Sequence, residues 1–154
     1  MARAFVWFAG IILLFGAIAA AQLKYFNTLD TSVLPKAGLY SITLGGVPLQ
    51  VTIARTPEEL RQGLSGTKSL PPDQGMLFVF PKADLYTFWM KDMQYPIDVF
   101  WIGEDGRIVY VVEKLSPDTY PATYRSSQPA KYVLELNAGF AEAHGVRVGD
   151  TVHF

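Results

Sequence analysis

Hydrophobic and polar positions along the chain change period several times, and each change predicts an element. Ala4 to Ala21 carries no charge and presents no polar face. Leu39, Ser41 and Thr43 then alternate with Tyr40, Ile42 and Leu44, the two-residue period of a half-buried strand. Gly45-Gly46 supplies the positive φ angles of a tight hairpin turn, and Val47 to Ala54 returns as the partner strand. Pro48 puts the start of that return strand at a sheet edge. Thr56-Pro57-Glu58-Glu59 then offers a Thr cap, Pro at the first helical position and Glu three residues after the cap. The helix is short, because Gly63 follows Arg61-Gln62 as a stop.

Residues 66–75, with Pro71-Pro72-Asp73, form the longest irregular stretch inside the domain, a kind of loop often placed over sites. The centre is strand-rich: Met76 to Phe80, Leu85 to Met90, Ile97 to Ile102 and Arg107 to Val112, the last two joined by the turn Glu104-Asp105-Gly106. Lys114 to Pro129 is expected to be loop, and Tyr132 to Leu136 a further strand. Asn137 is expected to cap a brief helix running through His144 and closed by Gly145. A Gly149-Asp150 turn and a terminal strand follow.

Short strands, hairpins and few helices predict an α+β domain that is mostly antiparallel β: a small, partly closed β-barrel-like unit with two short helices. No strand is followed by a crossover helix long enough to cover a doubly wound sheet. The chain divides into residues 1–21, a signal peptide or N-terminal membrane anchor; residues 22–37, a tether; and residues 38–154, a single β-rich domain. A basic start at Arg3, an apolar centre and small residues at Ala19 and Ala21 fit an export signal. The eighteen uncharged residues reach roughly 27 Å, just short of a comfortable span. Either reading exports the remainder, so the expected location is periplasmic or secreted, or anchored to the cytoplasmic membrane through residues 4–21.

Composition narrows the chemistry. With 13 basic and 14 acidic residues among 154, the net charge of −1 leaves no footprint for nucleic acid. The absence of cysteine excludes disulfides, thiolate metal sites and cysteine nucleophiles. No spaced His pair or carboxylate-rich loop points to a metal, and no phosphate loop or cofactor motif is present. Ser65 in "GLSGT" lacks the Gly-x-Ser-x-Gly spacing and leading strand of a nucleophile elbow.

The charged interruption in "FWMKDMQYPIDVFWI" is the strongest candidate. If Leu85–Lys91 pairs with Ile97–Ile102 around Asp92–Pro96, Lys91 falls opposite Ile97; a one-residue slip sets it opposite Asp98. Asp98 lies among apolar residues and needs donors, expected from Lys91 or the backbone of that loop. The functional alternative gathers Trp89, Lys91, Asp92 and Asp98 at a pocket mouth, beneath the 66–75 and 114–129 loops with Tyr120, Tyr124 and Arg125. Glu135, pointing away from Leu134 and Leu136, either faces solvent or joins this cluster. Glu59 is accounted for as a capping-box residue.

The stretches "TPEELRQGLSG", "QGMLFVFP", "FWMKDMQYPIDVFWIGEDGRIV" and "YVLELNAGFAEAHGVRVGD" together resemble the domain-of-unknown-function family DUF192, over roughly Gly45 to Phe154. The resemblance implies a β-rich fold and, in many members, export or anchoring. It points to Glu59, Trp89, Met90, Lys91, Pro96, Asp98 and Glu135 as characteristic, without assigning an activity. Ser65 stands where the family pattern usually has Met, and Asp92-Met93 where it has Asn-Thr. The functional expectation is a noncatalytic module that binds an unidentified small ligand or an envelope protein through Trp89, Lys91, Asp92, Asp98 and Glu135. The alternatives are a structural subunit of an envelope assembly and a carboxylate enzyme using Asp98 or Glu135 with Lys91.

Overall fold

The computed structural model describes residues 38–154; the leader and tether expected at 1–21 and 22–37 lie outside the described residues. Strands β1 (Leu39–Leu44) and β2 (Val47–Ala54) form the expected hairpin, with Leu44 opposite Val47. Gly45 and Gly46 take φ of 60° and 78°, and a Cβ on Gly45 would stand 2.8 Å from Val146 Cγ2, so that turn admits only glycine there. Helix α1 (Pro57–Gln62) carries the complete capping box: Glu59 N donates to Thr56 Oγ1 at 3.2 Å, and Thr56 N donates to Glu59 Oε2 at 2.9 Å.

The remaining strands are β3 (Gln74–Asp84), β4 (Thr87–Trp89), β5 (Ile97–Ile102), β6 (Ile108–Leu115), β7 (Thr123–Arg125) and β8 (Ala130–Asn137), followed by helix α2 (Phe140–His144). Six strands form one sheet in the order β1-β2-β3-β8-β5-β6, and β4 and β7 form a separate two-stranded ribbon. The pairing is antiparallel except between β2 and β3, which run parallel across the connection that contains α1. Pro48 is tolerated because β3 joins β2 only from Gln50 onward.

Four sequence expectations are corrected. Strand β4 does not pair with β5: it pairs with β7, Phe88 opposite Tyr124, while β5 lies between β6 and β8. The 114–129 stretch is not all loop, since β7 and a 3-10 turn at Pro117–Thr119 lie within it. Asn137 ends β8 and does not cap α2; its Nδ2 donates to the carbonyls of Leu70 and Pro71, each at 3.0 Å, and so holds the 66–75 loop. The expected terminal strand is reduced to isolated bridges, Thr43 with His153 and Arg107 with Thr151. The sheet is therefore not closed, although residues 151–153 touch both of its outer ends.

Both faces of the central strands are covered, which explains why β5 is buried along its whole length and apolar everywhere but at Asp98. One face carries Ile42, Leu77, Phe100 and Leu134 under α2. The other carries Phe78, Val99, Trp101 and Val133 beneath the segment around Leu64 and the β4–β7 ribbon. Alternation sends neighbouring residues of one strand into different cores.

Candidate functional site

Asp98 and Glu135 sit on adjacent strands but on opposite faces. In the β5–β8 register Asp98 lies opposite Leu136, and Val99 opposite Glu135. Asp98 thus joins the core under α2, and Glu135 joins the core that contains Trp101 and Phe78.

Asp98 is fully buried. Its Oδ1 accepts from Lys114 N at 2.7 Å and Gly139 N at 3.1 Å, and its Oδ2 accepts from Ala141 N at 2.9 Å. These donors replace the expected ones, because Lys91 and the 92–96 loop belong to the opposite side of the β5 entry. Helix α2 has Gly139 at its cap position, a residue with no side chain to serve the first amides. Asp98 serves them from the neighbouring strand and also fixes Lys114, whose φ of 50° would otherwise be unfavourable. The Lys114 side chain then pairs with Glu142 of α2. Asp98 is a buried brace.

Glu135 is different. It is 6% exposed, and its Oε2 is the one buried side-chain oxygen among the described residues that has no hydrogen-bond partner. Strand pairing flanks it with Met76 of β3 and Val99 of β5, neither a donor. Burial alone pushes its carboxyl up to about 8. The side chain opens onto a cavity of about 220 Å³. Aromatic rings of Phe78, Phe80, Tyr86, Phe88 and Trp89 line the walls. Phe80 and Tyr86 stack at 3.5 Å with their planes 10° apart, and Phe88 meets Phe78 edge-on at 4.9 Å. Trp89 is 52% exposed and forms part of the mouth.

The opposite lip is the end of α1 and the turn after it, Leu60 to Ser65. Here Lys91 and Asp92 act through their main chain. Ser65 Oγ donates to the Lys91 carbonyl at 2.8 Å, and Gly66 N donates to the Asp92 carbonyl at 2.9 Å. Asp92 has φ of 57°, a conformation that Asp and Asn both tolerate. The Thr67 and Tyr95 hydroxyls, 2.7 Å apart, add a third tie between the same two turns. Both charged side chains remain exposed outside the cavity.

Of the five expected site residues, the structure brings Trp89 and Glu135 to one cavity, sets Lys91 and Asp92 behind its lip, and places Asp98 on the other face. The ring wall from β3 was not anticipated. Its signal was the two-residue spacing of Met76, Phe78 and Phe80, which matches the face of Glu135. Among the described residues no group of three or more His, Asp or Glu gathers as for a metal, and no helix is long and apolar enough to cross a membrane.

The family model DUF192, described as an uncharacterised ACR, matches residues 40–154. A crystal structure of a candidate transcription regulator from Sinorhizobium meliloti is similar, with 34% identity and a TM-score of 0.71 over 78% of this chain and 96% of that one. A protein of unknown function from Novosphingobium aromaticivorans has 28% identity and a TM-score of 0.70 over 82% of this chain and 91% of that one. No curated protein matches the sequence.

Proposed function

The chain belongs to the uncharacterised DUF192 family, and we propose that its domain is a noncatalytic small-ligand-binding module acting outside the cytoplasm through the cavity floored by Glu135. One observation carries this reading: a buried carboxyl without a partner, aimed into an aromatic-walled hollow that opens to solvent beside Trp89. Leaving such a group unsatisfied costs on the order of 1–3 kcal/mol. A concave site walled by aromatic side chains with a few polar groups among them is the usual form of a small-molecule pocket. Export rests on the uncharged Ala4–Ala21 stretch, by which the domain is released or stays anchored to the membrane. The balanced charge of the chain supports no role on nucleic acid.

A fragment screen on the full-length protein tests the proposal, read by thermal shift and by chemical-shift changes. Compounds that stabilise it should perturb residues 60–65 and 86–89, and Trp89→Ala should weaken them. Hits that bind elsewhere, or no hits at millimolar concentration, would refute it.

A second reading, acid catalysis by Glu135, draws on the same raised carboxyl. The cavity lining includes no His, Asp or second Glu to complete a proton relay, which favours binding over turnover.

A further inference from the structure

Which ligand would Glu135 select? This question rests on the binding role proposed above. Most of the neighbouring polar groups are already committed, the Thr87 hydroxyl and the remaining guanidinium N–H groups of Arg61 excepted. Tyr86 Oη donates to the Lys82 carbonyl at 2.9 Å, and Trp101 Nε1 donates to the Tyr86 carbonyl at 3.0 Å. Ser65 Oγ serves Lys91, and Gln62 Nε2 donates to the Ser65 carbonyl at 2.6 Å. None of these donors reaches Glu135 Oε2, which leaves that oxygen open to a donor brought by a ligand. Charged neighbours are few. Strands β3 and β5 present Met76, Phe78, Phe80, Val99 and Trp101 to this side, none titratable. The turn before β4 adds Tyr86, and α1 adds Arg61, whose exposed guanidinium pairs with Glu58 at 3.1 Å.

A carboxylate at the bottom and ring faces around it form a complementary pair of attractions for a positive centre. Aromatic rings attract a cation to whichever faces are left uncovered, here the outer sides of the Phe80–Tyr86 stack. An anionic ligand would meet the carboxyl at the base, and the one cation in the lining, Arg61, is exposed and already paired with Glu58. We propose that the cavity takes a small organic amine, an ammonium carried on one apolar group about the size of a ring, with the ammonium hydrogen-bonded to Glu135. The volume of about 220 Å³ suits a ligand on the order of ten non-hydrogen atoms, below the drug-sized range.

Binding then moves one proton. In the free protein at neutral pH the Glu135 carboxyl keeps its hydrogen. The incoming ammonium keeps its own charge, the Glu135 O–H proton leaves to solvent, and a carboxylate–ammonium pair remains. Affinity should rise about tenfold per pH unit below 8, because only the ionised carboxyl forms the pair.

The test is calorimetry on the full-length protein with 2-phenylethylamine, 2-phenylethanol and phenylacetate, at pH 7 in buffers of different ionisation enthalpy. The expected result is binding of the amine alone or far more tightly, release of about one proton, and at least tenfold weakening in Glu135→Gln. The proton count is read on the native protein, so it stands even if the variant fails to fold. Equal binding of the alcohol, or amine binding without proton release, would overturn the amine assignment and leave the pocket reading intact. Failure of all three probes to bind at millimolar concentration would count against both.

Discussion

Replacing Glu135 by Gln should flatten a pH dependence of stability that the native protein carries. A carboxyl raised from 4.5 to about 8 by burial stays protonated in the folded chain while the unfolded chain ionises. The unfolded state therefore binds fewer protons between those values, and stability falls as pH rises through that window. Below 4.5 the penalty is absent; above 8 it is complete. At about 1.36 kcal/mol per pH unit, the loss between pH 5 and pH 8 is about 3–4 kcal/mol. Urea unfolding at each pH, with an m-value of about 1–1.5 kcal/mol/M for a domain of this size, turns that into a midpoint drop of roughly 2–4 M. Gln cannot ionise, so its curve keeps only the contribution of the other groups, and the difference between the two curves isolates Glu135. The amide introduces unsatisfied donors of its own, but that offset does not vary with pH. Parallel curves for the two proteins between pH 5 and 8 would refute the reasoning, because they would mean that Glu135 finds a solvated or hydrogen-bonded environment.

Three further outcomes follow from the geometry. Asp98→Ala strands the amides of Lys114, Gly139 and Ala141 and should cost about 3–5 kcal/mol in denaturant unfolding, with Asp98→Asn milder because one amide oxygen still accepts. Thr56→Ala should cost about 1 kcal/mol in the same assay. The backbone amides of Thr56 and Arg55 hold Glu59 below its ordinary value, so the contribution of the box is present above the usual Glu range and is lost as pH falls through the lowered one. Ser65→Ala should cost about 1 kcal/mol or less and speed hydrogen exchange at Gly66, because one of the ties across the cavity lip is gone.

Features decided by near neighbours were legible in the sequence. The β1–β2 hairpin follows from two glycines between alternating strands, and the α1 capping box from four consecutive residues. The family resemblance also held. What escaped depends on strand order. The segment at 87–89 looked like a hairpin partner of 97–102 because the two are close in the chain, yet its ladder runs to 123–125, where "TYR" is too short to stand out. Asp98 was expected to need donors, and does, but they lie up to 43 residues away. Glu135 was read correctly as facing away from Leu134 and Leu136. That its side faces a hollow between ring walls depends on β3 and β5 flanking β8, a pairing that no local pattern announces.

The bridges made by residues 151–153 have a consequence for how this domain can be handled. Thr43 and His153 exchange both of their main-chain hydrogen bonds, and Val152 N donates to the Gly106 carbonyl. Three consecutive residues thereby clasp the first strand and the hairpin leading into the sixth. A chain shortened by its last four residues would lose the bridges at both edges of the sheet at once and lengthen two exposed strand rims, the kind of surface on which copies stick to one another. Such a truncation should yield precipitate, while an added tag beyond Phe154 leaves the clasp in place.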